Sequence, residues 1–425
     1  MPEDLEQRED EPKRGLIAWC LYDWANSAFP TVITTFVFAA YFTKAVAADE
    51  ISGTSAWGWA MSLSALAVAL LGPVLGAIAD HAGRRKPWLF GFTLLCAIAA
   101  TLLWTIEADA GFIVQALVLV ALANFAFETG MIFYNAMLAD LAPAGRTGRW
   151  SGWGWGLGYF GGLSCLAVTL VGFVQTDTPW FGLDKEASEH LRITGPLVGL
   201  WVMVFALPLF IWTPDKPSGV KIGDAVGRGL NTLVQTIKNI RDYSIAIRFL
   251  IARMIYTDGL NTLFAFGGIY AAGTFGFGFE DLILFGIAIN VSAGLGAATF
   301  AWVDDWIGPK RTVLISLVAL IFLSLALLVI ESVQLFWIIG TALGIFVGPA
   351  QSASRSMMAR IAPPELRTEM FGLYALSGKA TAFLGPALLA LMTQVFESQR
   401  VGMASIVIFF VVGLFLLIRI PEPHR

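Results

Sequence analysis

Charge is scarce in this chain. Asp, Glu, Lys and Arg make up 14% of its 425 residues, against roughly 25% in a soluble globular domain. Hydrophobic residues reach 57% and mean hydropathy is +0.72. That balance excludes a surface that meets water on all sides. Cysteine is scarce too. Cys20, Cys96 and Cys165 all lie in apolar stretches, and an odd number so placed is no disulfide framework. The three histidines, His81, His190 and His424, fall in expected loops, so they make no metal cluster. No Gly-x-x-x-x-Gly-Lys-Ser/Thr stretch occurs, which excludes ATP as a driving force. Residues 1–14 are hydrophilic and lack a signal-peptide pattern. The net charge of −4 excludes little, because it sums charges on two sides of a membrane.

What the chain has is long apolar runs. A helical span needs about 20 mostly apolar residues, and in lipid only a helix or a closed barrel satisfies its own backbone. Barrel strands would alternate over about ten residues, so unbroken runs predict an all-α polytopic protein. Twelve spans are expected: 16–42, 55–78, 88–106, 112–141, 150–174, 196–212, 245–272, 282–303, 312–330, 335–358, 371–393 and 401–420. They divide into an N-terminal six-helix bundle (1–212), a linker (213–244) and a C-terminal six-helix bundle (245–425). Of the 27 Lys and Arg residues, 19 fall in the two tails and the even-numbered connections, and 4 in the odd-numbered ones. The positive-inside rule then places both termini in the cytoplasm. In the linker, Val226, Leu230, Leu233, Val234 and Ile237 recur at helical spacing. An amphipathic helix on the cytoplasmic face is expected there, within an ordinary linker.

Three signals occur once in each half, in the same order. Asp23-x-x-Asn26-Ser27-x-Phe29 in the first span matches Asp258-x-x-Asn261-Thr262-x-Phe264 in the seventh. Asp80-His81-Ala82-Gly83-Arg84-Arg85-Lys86 matches Asp305-Trp306-Ile307-Gly308-Pro309-Lys310-Arg311. Ala142-Pro143 with Arg146-Thr147 and Gly152 matches Ala362-Pro363 with Arg367-Thr368 and Gly372. The offsets are 235, 225 and about 220 residues. Parallel repeats of six helices are one transporter plan.

Charges within spans are costly and mark function by default. Asp23 lies in the first span, Glu128 in the fourth, Arg253 and Asp258 in the seventh, Arg355 in the tenth and Lys379 in the eleventh. Four polar stripes follow helical spacing. They are Asp23, Asn26, Ser27, Pro30, Thr31 and Thr34; Asn124, Glu128, Met131 and Asn135; Asp258, Asn261 and Thr262; and Gln351, Ser354, Arg355 and Met358. Together they predict a polar cavity. Arg253 stands about 140° round the helix from Asp258 and is left outside the set. In this cavity Asp23 or Glu128 could take up a proton, and Arg355 or Lys379 could meet a carboxylate or phosphate on a cargo. The competing expectation is that Asp23, Glu128, Arg355 and Lys379 are fixed ion pairs between helices. Gly156-x-Gly158-x-x-Gly161 has the form of a dinucleotide fingerprint but follows no strand, so it reads as helix packing. Trp153, Trp155 and Tyr159 stand where they could reach the cavity. Asn290-Val291-Ser292 is a glycosylation triplet inside a span and is discounted.

These residues carry a resemblance. Gly76-x-x-x-Asp80-x-x-Gly83-Arg84-Arg85 resembles the signature loop of the major facilitator superfamily, departing at His81, where a basic residue is usual. Tyr22-Asp23-Trp24-Ala25-Asn26-Ser27-Ala28-Phe29 is similar to the vacuolar effluxer branch, whose bacterial members are called the unknown major facilitator family. So are Phe133-Tyr134-Asn135-Ala136, Gly152-Trp153-Gly154-Trp155 with Gly158-Tyr159, Gln351-Ser352-Ala353-Ser354-Arg355-Ser356 and Glu369-Met370-Phe371-Gly372-Leu373-Tyr374 with Gly378-Lys379. The resemblance implies alternating access, export of a small solute such as an amino acid, and residence in a bacterial inner membrane. It also implies a gate. Asp80 would meet the N-terminus of a helix in the other half and Arg84 would pair with an acid such as Asp140. Gly83 and Arg85 complete that loop, with Asp305 and Gly308 as a weaker copy. The expected partners are a small-molecule substrate, protons and the lipid bilayer. No cofactor, metal or nucleic acid is called for, and the chain is expected to act as a monomer. An intramembrane enzyme would need a histidine or metal site at depth, which is lacking. A non-transporting sensor or lipid-handling protein on the same fold is the alternative.

Overall fold

The computed structural model describes residues 3–215, 222–239 and 241–422, without the side chains of 3–12, 222, 237, 279 and 280. Lys216, Lys221, Ile240, His424 and Arg425 lie outside the described residues. The described residues are helical apart from short connections. The long helices are α1 (Glu3–Asn26), α2 (Glu50–Ala82), α3 (Lys86–Leu102), α4 (Ile113–Leu141), α5 (Thr147–Thr169), α6 (Thr194–Trp212), α7 (Ile222–Lys238), α8 (Ser244–Phe275), α9 (Phe279–Ile307), α10 (Pro309–Val329), α11 (Val333–Ile361), α12 (Arg367–Ser377), α13 (Leu384–Phe396) and α14 (Gln399–Ile418).

Among the described residues, ten stretches are long and apolar enough to cross a membrane. Two of the twelve expected spans are not among them. The seventh is one unbroken helix, α8, whose Arg248, Arg253 and Asp258 lower its hydropathy. The eleventh is not one helix. Turns at 378–383 separate α12 from α13. Pro386 in the first turn of α13 explains the break. It offers no amide to the carbonyl of Ala382, and its ring would clash there.

The first span has its own irregularity. Beyond α1 the chain continues through wide turns, Phe29–Phe36 and Phe42–Val46, on either side of a short α-helical piece. Pro30 sits at their start and cannot donate to the carbonyl of Asn26. Each wide turn takes up extra residues, so the facing position moves along the sequence. On the connection that follows, Asp49 caps α2. Hydrogen bonds from Ser52 and Ile51 hold its exposed carboxyl below the usual carboxylate range.

The two most extensive crossings between the halves of the chain are α2 against α12, and α5 against α9. Both need missing side chains. A Cβ at Gly76 would collide with the Thr368 carbonyl, and one at Gly372 would stand 2.6 Å from the Gly72 carbonyl. Likewise a Cβ at Gly152 would meet Ala297 and Ala301 of α9. The other face of α5 lies against α1, where Gly161 leaves no room for more than hydrogen beside Trp24. The glycine run therefore serves helix approach, as its spacing predicts.

The linker helix α7 lies against the end of α2. Gly229 sits on the main chain of Ala77 and Ile78, and the Thr232 hydroxyl is 3.1 Å from His81 Nε2. Val226, Leu230 and Val234 remain exposed on its other side.

Candidate functional site

The charged connections gather at one end of the helix array, called here the basic end. α2 finishes there on Gly83, whose left-handed φ of 75° ends the helix. The turn sends Arg85 inward. Its Nε donates to Thr368 Oγ1 at 2.7 Å, its Nη2 reaches Asp80 at 3.2 Å, and its Nη1 pairs with Asp140. Arg84 instead lines a surface hollow with Lys86, Phe90, Phe210 and Asp215. The expected Arg84–Asp140 pair is thus an Arg85–Asp140 pair, because the chain reverses direction at Gly83. Asp140 also pairs with Arg367 of the other half.

Asp80 accepts hydrogen bonds from the Thr368 amide (3.1 Å), the Thr368 hydroxyl (2.6 Å) and the Glu369 amide (2.9 Å). It therefore caps α12, where free amides and the helix dipole favour an anion. The matching acid does the same on the other side. Asp305 accepts from the Arg149 amide at 3.2 Å, near the start of α5, and lies 3.5 Å from Arg149 Nε. Asp304 beside it pairs with Arg360 at 3.1 Å. Gly308 again has a positive φ, 98°, and a Cβ there would strike Glu422.

Deeper in, Arg355 of α11 is 1% exposed and fully engaged. Nη1 donates to Asp23 Oδ2 at 2.9 Å and to Asn135 Oδ1 at 3.3 Å. Nε and Nη2 donate to Ser151 Oγ and its carbonyl at 2.9 and 2.6 Å. The rings of Trp19, Tyr134 and Trp155 lie within 6 Å of its Cζ. Close approach of α5 makes this possible, since a Cβ at Gly154 would be 2.7 Å from Asp23 Oδ2. A second pair crosses between the halves. Lys379, in the break between α12 and α13, donates to Glu128 Oε1 at 2.7 Å. Arg355 and Lys379 are thus both paired with protein carboxylates, the arrangement of the competing expectation.

Two cavities adjoin at Trp155 and Asn261. The smaller, about 240 Å³, lies against the Arg355 centre. Its walls include Glu128, Asn135, Arg253, Gln351, Arg355 and Lys379. The larger, about 680 Å³, lies on the side away from the basic end. Ser27, Thr31, Tyr159 and Asn290 supply polar groups among aromatic rings. Tyr159 donates to Gln351 Oε1 at 2.6 Å.

The structure brings Ser27, Glu128, Asn135, Asn261, Gln351, Arg355 and Lys379 onto these walls, with Asp23 directly behind Arg355. It places others elsewhere. Asn124 bonds Ser64 of α2 at 2.9 Å, because α4 is buried on more than one face. Asn26 reaches the Met131 sulfur at 2.8 Å. Asp258 turns to the Gly385 amide at the start of α13, 3.2 Å away, with Oδ1 unpartnered among the described residues. Thr34 bonds the Pro30 carbonyl while Thr35 lines the cavity, the shift that the wide turns impose. Met358 is core, and Trp153 packs on Trp302.

Arg253 is the residue that stripe counting misses. Its Nη1 donates to the Tyr374 carbonyl and to Ser377 Oγ, both at 2.7 Å. Its Cζ sits 3.5 Å over the Tyr374 ring. The 140° that separates it from Asp258 turns it into the cavity, since Asp258 itself faces away.

Among the described residues, the hydrogen bonds and ion pairs that Arg85, Arg149, Ser151, Tyr159, Arg355, Arg367, Thr368 and Lys379 make between the halves lie from the basic end up to the level of Tyr159 and Gln351.

Comparison with known proteins extends this geometry. A family model described as "Vacuole effluxer Atg22 like" matches residues 45–424. The uncharacterized MFS-type transporter YxiO of Bacillus subtilis (strain 168) is 27% identical over 408 residues, covering 95% of this chain and 94% of that protein. Autophagy-related protein 22 of Coccidioides immitis (strain RS) is 22% identical over 456 residues, covering 88% and 74%. Among solved structures, the proton:xylose symporter XylE superposes with a TM-score of 0.73 at 14% identity, over 97% of both chains. The transporter FucP, in the outward conformation, gives 0.74 at 12% identity, over 96% of this chain and 98% of that one. At those identities the likeness is one of fold.

Proposed function

The chain belongs to the vacuole effluxer Atg22-like family of major facilitator transporters, and on that premise we propose that it is a proton-coupled secondary transporter that exports a small polar solute, such as an amino acid, by alternating access. In this reading twelve spans form two six-helix bundles, residues 1–212 and 245–425. The broken α12–α13 segment and the charged helix α8 supply the two spans beyond the ten apolar ones. Both termini are cytoplasmic, so the basic end is the inner side. The protein acts as a monomer in a bacterial inner membrane.

The one-sided distribution of polar contacts between the halves carries the proposal. A carrier with a single central site must close one side while the other opens. Here the bonds that tie the halves lie on the inner side of the larger cavity, so parting that cavity outward breaks none of them. The capping of α12 by Asp80 and of α5 by Asp305 gives each half one acid at the gate, as a duplicated carrier needs. Glu128, facing the smaller cavity and paired with Lys379, is a carboxylate whose proton uptake would release that pair. Asp23 stands behind Arg355 and transmits the state of the site to α1.

The test is transport by the purified chain in proteoliposomes, using exchange of labelled amino acids, sugars and organic anions with and without a pH gradient. Exchange of at least one solute class, accelerated by the gradient, is the expected result. Exchange indifferent to the gradient removes the proton. No exchange of any solute favours a sensor or lipid-handling protein on this fold.

A further inference from the structure

We propose that Arg253 anchors a single carboxylate group on the transported solute. The inference rests on the transporter reading above and assigns the chemistry of its cargo.

The smaller cavity is lined by three cations, Arg253, Arg355 and Lys379. Arg355 has Asp23 at 2.9 Å and Lys379 has Glu128 at 2.7 Å. Arg253 has no carboxylate within salt-bridge distance among the described residues. Three cations therefore share two carboxylates, and the site is one negative charge short. Within a membrane an uncompensated charge is costly and needs a partner. A ligand carboxylate supplies it.

The guanidinium is held ready for that ligand. It lies over the Tyr374 ring, and Nη1 is fixed by the Tyr374 carbonyl and Ser377 Oγ. A planar group so held loses little freedom on binding and can grip a carboxylate through two donors, which an ammonium cannot. Gly378 gives it room, since a Cβ there would stand 3.2 Å from Nη1. At about 240 Å³ the cavity is smaller than the roughly 300–1,000 Å³ pockets of drug-sized ligands. It takes one small head group. The rest of the solute extends past Trp155 and Asn261 into the larger cavity.

A carboxylate could belong to a zwitterionic amino acid or to an organic acid without an amine. The zwitterion brings an ammonium, for which Glu128 is the carboxylate at hand, and it must displace Lys379. The organic acid makes no such demand.

The test compares ligands on the unmodified chain first. Amino acids, their carboxyamides, their deaminated acids and glucose are offered in proteoliposome exchange and in thermal-shift binding. The acid of a recognised pair is expected to bind ~100-fold more tightly than its amide. Arg253→Gln loses that preference, and Arg253→Lys recovers only part of it. Preference for the amino acid over the deaminated acid identifies a zwitterion; the reverse identifies an organic anion. Equal exchange of acid and amide, or exchange of glucose alone, overturns the anchor while leaving the transporter intact. An Arg253→Gln variant that keeps the acid preference overturns it too. Absence of all exchange overturns the transporter reading, and the anchor with it.

Discussion

Asp23 Oδ2 and Arg355 Nη1 stand 2.9 Å apart and join residues 332 positions distant in the sequence. Both side chains are nearly dry, at 7% and 1% exposure. Removing one partner of such a pair leaves a buried charge uncompensated, at a cost of about 3–5 kcal/mol. Asp23→Asn is therefore expected to lower the thermal unfolding midpoint in detergent and to abolish exchange. Asp23→Asn combined with Arg355→Met should regain most of the stability and none of the transport. An Asp23→Asn protein as stable as the parent would contradict this role.

The Glu128–Lys379 pair predicts a different outcome. Its side chains are 23% and 29% exposed, and a pair that wet contributes about 1 kcal/mol or less. Glu128→Gln should leave stability nearly unchanged and still exchange solute, but without response to a pH gradient. Retained gradient dependence in this variant would move the proton to another group.

At the basic end the crossing of α2 and α12 depends on hydrogen at Gly76. Gly76→Val should force the Thr368 carbonyl away and pull Asp80 off its cap. With Cys20, Cys96 and Cys165 replaced by alanine, a cysteine introduced at the buried Ser352 would report the opening. A membrane-impermeant maleimide added from the basic side is expected to label it several-fold faster in Gly76→Val. Equal labelling rates would show that this crossing does not close the path.

The linker helix offers a fourth test. Gly229→Leu should lift α7 from Ala77 and Ile78, exposing the linker to protease while the helices remain intact. Unchanged cleavage within 213–244 would mean that the docked position contributes little.

Much of this architecture was legible from the sequence because lipid leaves a backbone few options. Long apolar runs must be helices, and intramembrane charges must find partners. The features that escaped did so for definite reasons. The break between α12 and α13 falls in an alanine-containing run that reads as helix, and its cause, Pro386, stands four residues downstream of the carbonyl it displaces. The wide turns after Asn26 shift the cavity-facing threonine from 34 to 35, which a fixed 3.6-residue period cannot follow. The angle from Asp258 leaves Arg253 outside the polar stripes, yet Asp258 is the one that faces away. Periodicity fixes which residues share a face; it does not say which neighbour that face meets, as Asn124 against Ser64 shows. The choice between Arg84 and Arg85 depended on the direction of one left-handed glycine.

The ties between the halves also differ in wetness. Asp140, with 21% of its side chain exposed, sits between Arg85 and Arg367, whereas Asp23 and Arg355 are sealed among aromatic rings. Counter-ions reach the first group and not the second. With a Debye length of about 8 Å at 0.15 M salt, ionic strength on the basic face alone weakens the Asp140 group and leaves the Asp23–Arg355 pair intact. On the alternating-access reading, the balance between the two access states would be tunable from one compartment, by its electrolyte, with no ligand bound.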